Sequence, residues 1–205
     1  TDDKVLVGWN GLAIAGLAEA GRALGETRYL DAAKNAAQAI ESHLAQDDGA
    51  LWRTMRGGKI ELPGQLEDYA LFAHGLIALH RATDEARYLE LARTHMSAAI
   101  ERFAAHPGGY YDTLAEQKDL FVRIRSFADG SMPSGNSQMI HNALDLYQIT
   151  GETGWLDRAV RDLQSFAISL SQHGTALAHM QHALLRALEL APERATAGTT
   201  AERGG

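Results

Sequence analysis

The sequence predicts an all-α protein, built from helical hairpin repeats that stack into a curved solenoid or a closed α/α toroid. Three observations predict it. Apolar residues recur at helical spacing along most of the chain. Three helix pairs align, each broken at a similar segment: LGETRYLDAA (24–33), ATDEARYLELA (82–92) and TGETGWLDRA (150–159). Strand signals are confined to short loop segments. Tyr29, Tyr88 and Trp155 hold matching places in the three breaks, 59 and 67 residues apart. Periods of this length mark supersecondary units that bury a core only by stacking.

The first pair runs from Trp9 to about Leu44. Trp9, Leu12, Gly16, Ala20 and Leu24 form one stripe; Tyr29, Ala33, Ala36, Ile40 and Leu44 form the next. The second pair runs from Glu67 to about Phe103 and the third from Asn136 to about Leu170. A seventh helix, GTALAHMQHALLRALEL (174–190), follows. Gly25 and Gly151 stand where C-terminal caps belong, and Thr27, Asp84 and Thr153 stand as N-caps of the second helices. Short strands or hairpins are expected at ALWRTM (50–55), GGYYDT (108–113) and LFVRIR (120–125). Residues 1–190 read as one incomplete toroid domain, and 191–205, ending in ATAGTTAERGG, as a disordered tail.

The helices of a pair differ in kind. The first is apolar nearly all round, as in YALFAHGLIALH (69–80); the second is one-sided, as in YLELARTHMSAAIERF (88–103). All-round apolar helices are buried on several sides and one-sided helices face water, so an inner and an outer layer are expected. Inner helices that run the same way gather their N-termini at one end. That end carries GWNG (8–11), QLEDY (65–69) and PSGNS (133–137), approached by the long connections 45–66 and 104–135. Converging N-termini offer unpaired N–H groups and positive dipole ends, which suit a polar ligand.

Composition narrows the function. The 205 residues are 45% apolar and 22% charged, with a formal net charge of −7. Scattered Lys and Arg and a negative balance oppose a nucleic-acid or anionic-membrane partner. No cysteine is present, which excludes disulfides, thiolate metal sites and thiol catalysis and agrees with a reducing cytoplasm. No apolar run approaches the ~20 residues of a spanning helix. The start, TDDKVLVGWNG, is acidic, lacks a cleavage pattern and does not begin with Met; it reads as a fragment or a processed product.

Several motifs in order carry a resemblance: DDKVLVGWNGLAIAGLAEA, LEDYALFAHGLIALH, GGYYDT, Val122–Arg123 and DGSMPSGNS. From Asp2 to about Leu190 they resemble the C-terminal half of the toroid region of a family that joins an N-terminal thioredoxin-like domain to an (α/α)6 toroid. Its animal member is spermatogenesis-associated protein twenty. The resemblance implies a six-hairpin glycosidase-like fold, similar to that of N-acylglucosamine 2-epimerase. It implies a carbohydrate-active-like domain of unsettled reaction, a glycosidase or sugar isomerase relative. With no cysteine, thioredoxin chemistry is not carried over. The toroid has twelve helices and seven are counted here, so the rest of the ring, or a second copy in a homodimer, is the expected partner besides a sugar-like small molecule. The alternative is a non-catalytic helical scaffold that packs with a thioredoxin-like domain or a second subunit.

Candidate residues follow from the polar end. Asp68, Glu67 and Asp112 are the acid–base candidates; for Asp68 and Glu67 the competing reading is first-turn acids that favour the helix dipole. Glycoside hydrolysis needs two carboxyl groups flanking the bond, and Asp129 is a further acid there, or else a turn residue in ADGS. Trp9 and Asn10 suit a sugar, by stacking and by bonding paired hydroxyls; otherwise Trp9 packs in the core and Asn10 caps the helix. Asn136 occupies the place of Asn10 in the third repeat. Ser134 shapes a turn, and Tyr69 is a wall or core residue. Arg123 is an anion holder or a salt-bridged surface residue. His179 and His182, three apart on a helix, could share a metal, but no Asp or Glu lies within the ten preceding residues; no metal and no cofactor is expected. His74 and His141 lie inside inner helices as core or cavity residues.

Overall fold

A computed structural model describes residues 3–117 and 121–192. The chain divides into two compact units, Thr1–Phe103 with Asp112–Ile124, and Ala104–Tyr111 with Arg125–Gly205. The expected tail lies outside the described residues from 193 onward.

The first unit holds β1 (Val5–Leu6), α1 (Val7–Leu24), α2 (Thr27–His43), β2 (Trp52–Arg56), β3 (Lys59–Pro63), α3 (Leu66–Thr83) and α4 (Ala86–Phe103). The strands form an antiparallel sheet in the order β1-β2-β3, with Val5 opposite Met55 and Trp52 opposite Pro63. ALWRTM supplies β2, as expected. Its partner KIELP is exposed throughout, so it carries no buried alternation to signal a strand. Gly57 and Gly58, at φ 54° and 78°, make the tight turn between them.

Helices α1 and α3 run parallel. Gly8 lies against Asp68, Gly11 against Leu71, and Gly75 against Gly11 and Ile14, so contacts advance together along both helices. The approach is backbone to backbone: a Cβ on Gly11 would stand 2.4 Å from the Leu71 carbonyl oxygen, and one on Gly75 2.7 Å from that of Gly11. The first helices of these two hairpins therefore point the same way, as the repeat predicts. Helix α3 is buried almost all round, whereas α2 and α4 bury one face each. Helix α1 is one-sided within its unit: Ile14, Ala15 and Ala18 are buried, but Trp9 is 62% and Leu24 66% exposed.

The second unit holds α5 (Gly135–Thr150), α6 (Thr153–Ser165), α7 (Ala167–Gln172), a 3₁₀ turn (Gly174–Ala176) and α8 (Ala178–Leu190). The second helix of the third pair breaks at Phe166 into α6 and α7. Helix α5 is buried continuously from Asn136 to Leu146, and α6 turns Leu156, Ala159, Val160 and Leu163 inward. Side-chain bonds from Gln138 to His179 and from Asp145 to Arg186 show that α5 and α8 also run parallel.

Gly25 and Gly151 cap α1 and α5 in the left-handed conformation, at φ 69° and 73°, as expected. The N-cap assignments need correction. Asp84 closes α3 at φ 58° instead of opening α4; a short polar side chain is among the few that tolerate this region. Thr27 and Thr153 are the first helical residues, preceded by Glu26 and Glu152 at the caps. GGYYDT contributes one isolated bridge, Ala104 with Tyr110, and not a hairpin. Residues 121–125 of LFVRIR form no strand; their one ladder-like bond runs from the Asp112 N–H to the Ile124 carbonyl at 2.9 Å.

Candidate functional site

Each unit joins the N-termini of two parallel helices through one carboxylate. In the first unit it is Asp68, 2% exposed. It sits at the third position of α3 and closes a capping box with Gln65. One oxygen accepts the Gly8 N–H of α1 at 3.1 Å; the other accepts the Gln65 N–H at 2.9 Å and Arg53 Nη1 at 3.1 Å. Arg53 reaches in from β2, and also binds Glu67 at 2.6 Å and the Gln65 side-chain oxygen at 2.9 Å. Burial pushes the Asp68 carboxyl up to about 6, against Arg53 and the two N–H groups, which pull it down.

In the second unit the carboxylate is Asp129. One oxygen accepts the Ser134 N–H at 3.1 Å and the Ser137 hydroxyl at 3.2 Å, and the other accepts the His179 N–H of α8 at 2.9 Å. Ser134 caps α5, with its hydroxyl oxygen 3.2 Å from the Ser137 N–H. Helix α8 has no acid of its own in its first turn, and Asp129 supplies that charge from the preceding loop. Three donors serve each carboxylate, which accounts for the place of both in the fold without a substrate.

The remaining candidates take different places in the fold. Asn136 is fully buried and clamps the chain: it accepts the Tyr110 N–H at 2.7 Å and donates to the carbonyls of Tyr110 and Ser126 at 3.0 and 2.8 Å. Tyr69 is a core residue edge-on to Phe103, its hydroxyl accepting the Leu51 N–H at 2.9 Å. Asp112 tethers α3 through its backbone, its carbonyl accepting the Leu66 N–H at 3.0 Å. Arg123 donates to the carbonyls of Thr113 and Arg102, a tie within the unit. Trp9 and Asn10 belong to the accessible surface of α1. The core reading of Trp9 is overturned by its exposure. Asn10 lies inside the helix, not at its cap, and donates to the Leu6 carbonyl at 2.8 Å.

The seam between α5 and α8 holds a cluster that sequence reading did not assemble. Gln138, His141 and Asp145 on α5 face His179, His182 and Arg186 on α8. Arg186 donates to Asp145 at 2.6 Å and to His141 Nδ1 at 3.0 Å; His141 Nε2 then donates to the His179 carbonyl at 2.9 Å. Gln138 gives its amide N–H to Asn142 at 2.8 Å and accepts from His179 Nε2 at 3.2 Å. The imidazole centroids of His141 and His179 are 4.0 Å apart, and those of His141 and His182 are 5.2 Å apart. Both triplets have the spacing i, i+3, i+7, and two matching polar stripes on adjacent first helices were the signal available. Arg53 gave no such signal, since a strand residue fourteen positions away in sequence has no helical register with Glu67. Among the described residues no group of three or more His, Asp or Glu could hold a metal ion.

Burial, reinforced by His179 and Arg186, holds His141 down at about 4. The unfolded imidazole titrates near 6.5. The folded protein therefore excludes this proton, and its stability advantage, full above pH ~6.5, is lost as pH falls toward 4. Urea unfolding between pH 7 and 4 should show His141→Gln losing up to about 3 kcal/mol less than wild type over this range.

No protein-family model matches the chain. Over 194 residues it is 36% identical to spermatogenesis-associated protein 20 of Rattus norvegicus, a match covering 89% of this chain and 25% of the relative. The chain thus spans about a quarter of the length of the curated relatives it matches. Among solved structures it is similar to a GH76 α-mannanase from Bacteroides thetaiotaomicron, with TM-score 0.71, 17% identity, and coverage of 95% of this chain and 54% of that one. It is also similar to cellobiose 2-epimerase from Spirochaeta thermophila, with TM-score 0.66, 18% identity, and coverage of 80% and 43%. Both have six-hairpin glycosidase-like folds, and the all-α toroid class expected from the repeats is the class found. At these identities the likeness shows the fold. Among the described residues no helix is long and apolar enough to cross a membrane.

Proposed function

We propose that this chain, homologous to one quarter of spermatogenesis-associated protein 20, is part of a cytoplasmic, carbohydrate-active-like α/α toroid domain. Its ligand is a sugar-like small molecule taken at the N-terminal end of the first helices. The observation that carries the reading is the parallel run of α1 with α3 and of α5 with α8, which sets polar groups at one end of each pair. Solved structures of this fold include a mannanase and an epimerase, which supports a sugar as ligand. In the first unit the accessible groups at that end are the Trp9 indole and the Asn10 amide, an apolar ring face beside a donor and acceptor. In the second unit they are the groups around Asp129, His179 and His182.

A second reading, a non-catalytic scaffold, is favoured by one specific observation: Glu67 and Asp68 are both bound to Arg53, and Asp68 also serves two backbone N–H groups. Thermal unfolding against a panel of mono- and oligosaccharides separates the readings. A rise in Tm with at least one sugar, lost in Trp9→Ala, is the result expected of a carbohydrate domain. No rise with any sugar would favour the scaffold. Trp9→Ala itself should leave Tm almost unchanged, because an exposed indole contributes little packing.

A further inference from the structure

The hairpin of the first unit presents an open sheet edge with a self-complementary sequence. Strand β3 ends the order β1-β2-β3, and among the described residues no strand lies on its outer side. All five of its residues are exposed. Gly57 and Gly58 form the two-residue loop, with Arg56 opposite Lys59, Met55 opposite Ile60 and Thr54 opposite Glu61. In such a hairpin the pair flanking the loop exchanges its backbone hydrogen bonds, and the bonding side then alternates along the strand. Lys59 and Glu61 therefore turn their N–H and C=O groups toward β2. Ile60 turns both of its groups outward, to the open edge.

Open edges are commonly guarded by a lysine, a proline or a bulge. Here the Lys59 charge is answered by Glu61, with Nζ 2.7 Å from the carboxylate. Pro63 stands opposite Trp52, on the alternation of Lys59 and Glu61, so its missing N–H takes no donor from the outer edge. Leu62, at φ 63°, leaves the extended conformation and ends the usable edge. The accessible strand is thus Lys59-Ile60-Glu61, with a base and an acid on one face and an apolar side chain, 41% exposed, on the other. An antiparallel strand centred on Ile60 would exchange two backbone bonds with it. The strand that also sets an acid opposite Lys59 and a base opposite Glu61 is β3 itself.

We propose that β3 is a homodimer interface: two copies pair antiparallel about a two-fold axis at Ile60, joining their three-stranded sheets edge to edge. Ile60 gives its N–H to the Ile60 carbonyl of the second copy and receives the same bond in return. Lys59 lies across from Glu61 of the second copy, and Glu61 across from its Lys59, at the closely spaced positions that share no backbone bond. The two Ile60 side chains meet on the opposite face. The contact uses none of the groups assigned to a sugar and does not depend on the carbohydrate reading. So short a ladder gives a weak dimer, visible at high protein concentration.

Sedimentation velocity of the full chain over a concentration series tests this. Wild type should approach twice the monomer mass as concentration rises and return to monomer on dilution. Amide exchange at Ile60 should slow over the same range. Ile60→Pro removes the outward N–H and keeps the bonds to β2, so it should abolish the dimer with an unchanged circular dichroism spectrum. Glu61→Lys sets lysine opposite Lys59 and should weaken association about tenfold, and Lys59→Glu should do the same. An equimolar mixture of these two variants pairs a basic strand with an acidic one and should form a heterodimer that weakens with salt. Monomer at every concentration, or a dimer that persists in Ile60→Pro, overturns the proposal. So does a mixture that associates no better than either variant alone.

Discussion

Replacing Asp68 with alanine is expected to lower stability by about 3–5 kcal/mol, the scale for breaking a buried ion pair by removing one partner. The change leaves the Gly8 and Gln65 N–H groups unanswered at two helix N-termini and deprives Arg53 of one of its two anions. Urea unfolding measures it. Asp68→Asn keeps the shape and one acceptor oxygen, so a smaller loss is expected. Its pH dependence is more telling. The folded carboxyl, at about 6, lies above the ordinary unfolded value of ~3.9. The folded protein therefore holds the proton more tightly, and the stability this contributes at low pH is lost as pH rises through about 6. The gap between wild type and Asp68→Asn should accordingly be wider at pH 4 than at pH 7, by up to about 3 kcal/mol. A gap that widens with pH would mean that Arg53 and the N–H groups outweigh burial.

The second large effect is expected at Gly11. A valine there drives its Cβ to 2.4 Å from the Leu71 carbonyl oxygen, and the clash is with backbone, which cannot rotate away. Helices α1 and α3 must separate along their whole seam, a cost of about 3 kcal/mol or more for overpacking of this kind. In a domain of this size Tm should drop by about 6 °C or more. Gly16 lies on the same helix, and its added Cβ meets nothing within 4 Å. Gly16→Ala should raise stability by about 0.5–1 kcal/mol through helix propensity alone. Opposite signs at two glycines of one helix would tie the Gly11 loss to the seam. Equal losses would sink the backbone-contact account.

These two positions also show what could be read before the structure. The sequence marks Asp68 because it opens an inner helix, and a first-turn acid has a physical reason to be there. That the same carboxylate also fastens α1 could not be read, because Gly8 lies sixty residues away and a glycine N–H leaves no side-chain signature. Trp9 shows the reverse: aromatic residues near helix starts are usually core, but α1 turns inward a face of small residues with Val7 and Ile14, and Trp9 lies off that face. The histidines on α8 were visible as a pair with metal-like spacing. Their surroundings became apparent only with Gln138, His141 and Asp145 opposite, which make the ligand-like pair part of a hydrogen-bonded cluster.

By itself the sequence determined the order of the helical pairs, the glycine caps at Gly25 and Gly151, and the polar end of the hairpins; it counted seven helices where the described residues form eight, because the break at Phe166 divides the last helix of the third pair. Periodicity and local backbone preference act within a few residues and are written into neighbouring positions. Only the tertiary structure decided which polar groups are consumed by the fold and which remain accessible. That division depends on distant partners, Arg53 with Asp68, Asp129 with His179, Asn136 with Tyr110, brought together by packing that no local pattern encodes.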